Sequence, residues 1–191
     1  PGSEEAIKEA LVNRYPRKSY YLASKCAIWS GCKEKEDAEK ELDISLERTG
    51  AGYFDFYLLH ALNKDSAKTF EEWGLWEYFL KKKEEGLIRH LGFSFHDSPE
   101  VLDDILSKHP EAEFVQLQIN WADWEDPKVQ SKGSWEVARK HNKDIIVMEP
   151  VKGGLLADPH PLVKEVFSSS DPNASPASWA IRFASSLDGV M

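Results

Sequence analysis

The sequence predicts an α/β protein built on parallel strands, an incomplete (β/α)8 TIM barrel, and three observations carry that prediction. Short apolar or aromatic runs alternate with stretches of helical period. The runs begin near residues 20, 53, 87, 114 and 145, a spacing of about 30 residues that matches one strand–helix unit. Neither GxGxxG nor GxxxxGK[ST] follows the first run, which argues against an open nucleotide-binding sheet and for a barrel. Five runs and the start of a sixth are fewer than a closed barrel needs. The expected organisation is therefore one barrel domain over residues 1–191, truncated at both ends. The opening Pro1-Gly2-Ser3 lacks a Met, and Gly189-Val190-Met191 reads as the first residues of a further strand.

The elements follow in order. Ser3, backed by Glu4 and Glu5, is placed to cap a helix reaching about residue 15, and Pro16 stops it. Residues 20–24 form the first strand. Residues 33–48 form a helix with Ala38, Leu42 and Leu46 on one stripe, ended by Gly50 and Gly52. The second strand covers 53–59. A helix over 69–85 carries Trp73, Trp76, Phe79 and Leu80 inward and closes at Gly86. A strand over 88–93 precedes a helix opened by Ser98-Pro99-Glu100 and ended by His109-Pro110. Residues 114–119 are the fourth strand, 134–141 a helix and 145–148 the fifth strand. Residues 168–173 read as a loop, and Ser175-Pro176 opens a last helix.

Composition removes several functions. The 33 acidic against 24 basic residues, a net charge of −9, leave no general basic face for nucleic acid. Seven Trp, six Tyr and nine Phe supply large burial units, which excludes disorder. Cys26 and Cys32 lack metal-ligand spacing and read as reduced thiols, and there is no HExxH, so no metal site is expected. No apolar run approaches the ~20 residues of a membrane span and no signal-peptide pattern opens the chain. These features predict a cytoplasmic protein with neither nucleic-acid nor membrane partners. A part-barrel also exposes unpaired strand edges, so self-association is expected.

In a parallel barrel, chemistry sits at the C-terminal ends of the strands. The predicted strands end in Lys25, His60, Ser94 (with His96 beyond it), Asn120 (with Gln116 before it) and Glu149. Polar residues often begin loops, so most of these have an ordinary reading. Lys25 and His60 do not, because each closes an apolar run abruptly. A Lys there can lower a neighbour's pKa, and a His can orient or protonate a carbonyl. His90, mid-strand, reads as a packed residue; His109, His141 and His160 read as surface residues at helix ends and in loops.

Those residues resemble the aldo-keto reductase superfamily. The resemblance rests on Tyr20-Tyr21-Leu22-Ala23-Ser24-Lys25, on Asp55-Phe56-Tyr57-Leu58-Leu59-His60, and on Gly86 to Ser94. Gln116 to Asn120, Met148-Glu149-Pro150 with Gly153-Gly154-Leu155-Leu156, and Ser175-Pro176-Ala177-Ser178-Trp179-Ala180-Ile181-Arg182 extend it over the whole chain. Phe95-His96-Asp97 and Glu149-Pro150 are most similar to a bacterial branch that often carries a C-terminal iron–sulfur extension.

The resemblance implies an NADPH- or NADH-dependent oxidoreductase that passes hydride to a small aldehyde or ketone. Lys25 and His60 match the family's catalytic Lys and His. Ser94 and Gln116 match positions that hold the nicotinamide carboxamide, and Met148, Glu149, Pro150 and Gly153 complete the cofactor-binding set. Two positions depart: Phe95 stands where Asn is usual, and Met148 where many members carry an aromatic ring. The family's proton-donor Tyr and its partner Asp fall before Ser3, and its cofactor-phosphate loop and the iron–sulfur cysteines fall after Met191. The expectation is that an iron–sulfur cluster belongs only to a full-length parent and that this segment alone is inactive. The alternative is a non-catalytic nicotinamide-binding module on the same fold, against which Lys25 and His60 both argue.

Overall fold

The structure, a computed structural model, describes residues 2–191. It contains five strands alternating with helices, in two compact units. The first runs through Phe95 and takes in Ala112–Phe114; the second comprises His96–Glu111 and Val115–Met191.

In the first unit, helix α1 (Ser3–Ile7) continues as a π-helical turn, Lys8–Val12. Its cap is Gly2 in a left-handed conformation, not Ser3. Strand β1 (Ala23–Cys26) starts three residues later than the sequence suggests. The reason is that the carbonyl of Tyr20 accepts from Arg17 Nη1 at 3.2 Å rather than from a strand, and Tyr21 is 80% exposed. Helix α2 (Lys35–Thr49) buries Ala38, Leu42, Ser45 and Thr49, so Ser45 takes the place expected of Leu46. Gly50, at φ 66°, ends it by donating to Leu46 O at 2.8 Å.

Strand β2 (Phe54–Leu62) and strand β3 (Ile88–Phe95) run further than predicted. Between them the single expected helix is two, α3 (Lys64–Glu72) and α4 (Leu75–Glu84). Gly74, left-handed at φ 61°, makes the break. A capping box starts α3: Asn63 Oδ1 accepts from Asp65 N and Ser66 N, and Ser66 Oγ accepts from Asn63 N.

The three strands are parallel in the order β1-β2-β3. Register aligns Ala23 with Phe56 and His90, and Lys25 with Leu58 and Gly92. Period-2 geometry puts Tyr57 and Leu59 on the opposite face, where Tyr57 packs on Phe79 of α4 at 5.2 Å. A Cβ on Gly92 would come 2.4 Å from Phe114 O, so only glycine admits that approach. His90 differs from expectation: it is half exposed, stacks on Phe56 at 5.2 Å, and its Nδ1 lies 2.9 Å from Glu113 Oε2.

The strand starts are tied by Asp55, 1% exposed. Its carboxylate accepts from Arg17 Nη2 at 2.7 Å, Arg89 Nη1 at 3.0 Å and Leu22 N at 2.9 Å. Tyr53 lies between the two guanidinium groups, 3.8 Å from Arg17 and 4.2 Å from Arg89.

In the second unit, helix α5 (Pro99–Lys108) follows Ser98 as predicted, with Pro at N1. Strand β4 (Phe114–Gln118), helix α6 (Ser131–Lys140) and strand β5 (Asp144–Met148) follow. A 3-10 segment, Lys152–Ala157, leads to helix α7 (Pro161–Ser170) and helix α8 (Pro176–Ser185). Helix α7 reaches Ser170, so the first half of the predicted loop is helical. Ser175 caps α8, its Oγ accepting from Ser178 N at 3.2 Å. Asp103 joins α5 to α6 through Lys140 at 2.9 Å and His141 at 2.6 Å. Val190 forms a parallel bridge to Ile145, the expected start of a further strand. Among the described residues no helix is long and apolar enough to cross a membrane. Cys26 and Cys32 are free thiols, and burial pushes the Cys26 thiol well above its usual range.

Asp55→Ala leaves two guanidinium groups without their carboxylate. It should lower unfolding free energy by about 3–5 kcal/mol in urea titrations followed by tryptophan fluorescence. A loss below about 1 kcal/mol would refute the anchoring role.

Candidate active site

In the first unit the C-terminal halves of the parallel strands carry three polar side chains on one face. Lys25 pairs in register with Leu58; His60 is two residues past Leu58, and Ser94 two past Gly92. Partial burial penalises the Lys25 ammonium and lowers its pKa below the usual lysine value. The His60 ring stands 5.4 Å from the Trp29 ring, inclined at 55°. Trp29 projects from the short 3-10 turn Ile28–Ser30 that follows β1 and is 67% exposed. Ser94 is fully buried, and its Oγ accepts from Ala61 N at 2.8 Å. Ala61 is left-handed at φ 59°, where the register of β2 with β3 shifts. That bulge turns an N–H from the ladder toward Ser94.

In the second unit Gln116 lies on β4, Met148 ends β5, and Glu149, Pro150 and Gly153 occupy the loop after it. Glu149, Lys152, Gly153 and Gly154 have φ of 58°, 50°, 60° and 94°. Two non-glycine residues in the left-handed region are sterically costly and need support. A buried network supplies it. Asn120 Nδ2 donates to Glu149 O at 3.1 Å and to Asp123 Oδ2 at 2.7 Å, and Gln118 Nε2 donates to the same oxygen at 2.9 Å. Lys152 Nζ pairs with the other oxygen of Asp123, which is 1% exposed. Burial alone would raise the Asp123 carboxyl, but the bonds from Lys152, Asn120 and Gln118 outweigh it and hold the pKa below the usual value.

The structure thus brings Lys25, His60 and Ser94 together on one sheet face, and Glu149, Pro150 and Gly153 into one braced loop. Sequence reasoning missed Trp29, Asp123 and Lys152. The signal for Asp123 was the spacing Asn120-x-x-Asp123: Asn120 Oδ1 accepts from Ala122 N and Asp123 N and so tightens the turn. Trp29 carried no pattern at all. Phe95, one of the departures, is a core residue, 3% exposed and edge-on to Phe93 at 6.4 Å.

Ser94 in the first unit carries a hydroxyl and Gln116 in the second a primary amide, groups that each both donate and accept, the chemistry a carboxamide calls for. The loop fits a close approach to its backbone: a Cβ on Gly154 would meet nothing within 4 Å. Among the described residues no group of three His, Cys, Asp or Glu could hold a metal ion.

Parallel strand–helix units with polar groups on the C-terminal halves of the strands are the architecture of the parallel α/β barrels. Comparison narrows the class. Residues 2–191 match the Aldo/keto reductase family, and the chain belongs to that family. A Mycobacterium sp. (strain MCS) aldo-keto reductase is 33% identical over 93 residues, covering 48% of this chain and 31% of that protein. An uncharacterized oxidoreductase of Schizosaccharomyces pombe is 26% identical over 193 residues, covering 94% of this chain and 57% of that protein. The chain therefore spans about a third to somewhat over half of these curated relatives. Among solved structures, a Brucella melitensis aldo/keto reductase superposes with a TM-score of 0.75 at 24% identity, covering 100% of this chain and 68% of that one. A Klebsiella pneumoniae aldo/keto reductase crystallised with NADP and acetate gives 0.70 at 20% identity, covering 99% and 63%. The fold is the incomplete α/β barrel that the sequence predicts.

Asp123→Asn should cost about 2–4 kcal/mol of stability at pH 7, by weakening the pair with Lys152. The Asp123 pKa is depressed on folding, so its contribution is in place above about pH 4, the unfolded carboxylate range, and fades as pH falls through the folded value. The stability gap between wild type and variant should narrow in acid; a gap that stays constant down to pH ~2 would contradict the bracing role.

Proposed function

We propose that this chain carries the nicotinamide end of an NAD(P)H-dependent carbonyl reductase, acting on a small aldehyde or ketone. The observation that carries the reading is the half-buried Lys25 with a lowered pKa on the same strand face as His60 and Ser94. The family relationship supports it, as does the NADP bound to the Klebsiella pneumoniae structure.

The roles follow from the chemistry of each group. A carbonyl that accepts hydride gathers negative charge on oxygen. His60 orients that oxygen and donates to the growing charge, the largest stabilising effect in many such reactions. Lys25 lowers the pKa of an adjacent phenol from about 10 by its positive charge, and its own partial desolvation strengthens that field. The family resemblance assigns Ser94 and Gln116 to the carboxamide, Met148 to the ring face as an adaptable thioether, and Glu149, Pro150 and Gly153 to the rest of the cofactor. When bound, the dihydronicotinamide supplies the hydride.

None of the chain's six tyrosines suits the phenol role. Tyr20 and Tyr53 contact Arg17 at the strand starts, and Tyr57 is buried on the other face. Tyr78 donates to Glu39 O from α4, while Tyr15 and Tyr21 are exposed, Tyr21 meeting Phe56 near the start of β2. The proton donor must come from outside this set. We place the protein in the cytoplasm, consistent with its two free thiols. We further propose that copies associate through the edge of β1, which among the described residues pairs only with β2.

NADPH should quench the chain's tryptophan fluorescence saturably, and Gln116→Leu should weaken that binding about tenfold. Absence of saturable quenching would remove the cofactor reading. With NADPH and simple aldehydes the chain should turn over at least about 10²-fold more slowly than a family member with its phenol in place. Ready turnover would show that one of these tyrosines does serve. Sedimentation should show an average mass that rises with concentration, and a concentration-independent monomer would end the edge-pairing idea.

A further inference from the structure

The first unit contains a recess that the reductase reading does not use. It lies where β2 and β3 begin, beside the segment that leads into β1, and it measures about 440 Å³. Lys18, Tyr20, Tyr21, Tyr53, Asp55 and Arg89 line it. Its volume falls in the range of small-molecule sites, roughly 300–1,000 Å³. Lys25, His60 and Ser94 stand toward the opposite ends of the same strands, and none of them lines it.

Charge decides what the recess attracts. Among the described residues that line it, Asp55 is the only acid, and its oxygens are taken. Arg17 Nη2 and Leu22 N donate to Oδ2, and Arg89 Nη1 donates to Oδ1. Arg17 alone balances that carboxylate. Arg89 and Lys18 are therefore cations in excess, on a chain whose net charge is −9. Both are open to a ligand. The Arg89 side chain is 48% exposed. Lys18 is exposed on the 3-10 turn Arg17–Ser19 and forms no ion pair among the described residues. A guanidinium carries five N–H donors, and Arg89 uses one on Asp55 and one on the Tyr53 hydroxyl at 2.9 Å. Those bonds, with the Tyr53 ring at 4.2 Å, fix the plane of the fork before any ligand arrives. A fixed planar fork matches the two oxygens of a carboxylate. The Tyr21 ring meets Phe56 only at an edge, 6.2 Å away, and is 80% exposed, so it offers an aromatic wall that the core does not use.

We propose that this recess binds a small aromatic carboxylate. The carboxylate pairs with Arg89 and Lys18, and the ring lies against Tyr21. Binding is separate from the nicotinamide site and does not depend on it.

The probes are benzoate, benzamide and acetate: the ring with the charge, the ring without it and the charge without the ring. Each is titrated into the chain by calorimetry, without nicotinamide nucleotide. Benzoate should bind saturably and at least about tenfold tighter than benzamide, the share expected of a hydrogen bond to a charged group. It should bind about fivefold tighter than acetate, through burial of its ring. Tyr21→Ala should bring the affinity for benzoate down toward that for acetate. Lys18→Glu should weaken benzoate at least about fivefold by replacing attraction with repulsion. Arg89→Gln should abolish benzoate binding; should that variant fail to fold, Lys18→Glu decides, because its side chain is exposed and unpaired. His60→Ala should leave benzoate affinity unchanged, whereas a carboxylate seated at the C-terminal ends of the strands would depend on that imidazole. Equal affinity for benzoate and benzamide overturns the proposal. So does benzoate binding that is untouched by Lys18→Glu or by Tyr21→Ala, binding that is lost in His60→Ala, or an absence of saturation up to about 10 mM.

Discussion

One buried carboxylate sets the geometry of the first unit. Asp55 receives two guanidinium groups and a backbone N–H, and through them it joins the segment before β1, the start of β2 and the start of β3. Such a group is costly to bury, and only a complete set of donors offsets the cost. The set here is complete, with Tyr53 held between Arg17 and Arg89 as a spacer. Parallel strands have no hairpin to fix their register, so a pin at their starts has consequences along their whole length. Lys25, Leu58 and Gly92 align because the strand starts are aligned. The side chains of Lys25, His60 and Ser94 are thus placed from the opposite end of the sheet.

The second unit solves a similar problem with another buried acid. The loop after β5 holds Glu149 and Lys152 in left-handed backbone, a conformation that L side chains resist. Asp123 takes Lys152, Asn120 and Gln118, and Asn120 also reaches the Glu149 carbonyl. The strain is local and the compensation is polar and buried. Such an arrangement exposes backbone N–H groups and glycines without collapsing them onto the protein. Rigidity of this kind limits the ordering cost when a ligand settles against the loop.

How much of this was legible in the sequence depends on the range of the interaction. Strand identity was readable from apolar runs, and the glycine at 50 and the Ser-Pro pairs at 98 and 175 marked helix ends through local chemistry. Lys25, His60 and Ser94 stood out because a polar residue broke an apolar run, and the structure places them on one face. The exact span of β1 was not readable, because Arg17 takes the Tyr20 carbonyl and no local pattern reveals that. The break at Gly74 was present as a residue but looked like one more position in a helix rich in Trp and Phe. His90 read as packed because strand interiors usually are. Its inner-face neighbours are Phe56 and Glu113, contacts set by pairing between distant segments. Asp123 and Lys152 are 29 residues apart, beyond the reach of any periodicity.

The same trade recurs at the strand ends. Lys25 is costly to bury, and its ammonium is destabilised as a result. A fold selected only for stability would place leucine there, as it does at Leu58 in the neighbouring strand. Retaining the charge makes sense if the field it projects has a use, because a charge exerts more influence where water is partly excluded. Trp29 stands beside His60 while remaining largely exposed itself. An exposed indole on a short turn contributes little to the core but can cover an imidazole. The energetic losses at Lys25, at Ala61 and at Trp29 all fall on the C-terminal side of the sheet, and the compensating ion pairs of Asp55 fall at its start. That asymmetry separates a strained, polar end of the sheet from an end built for stability.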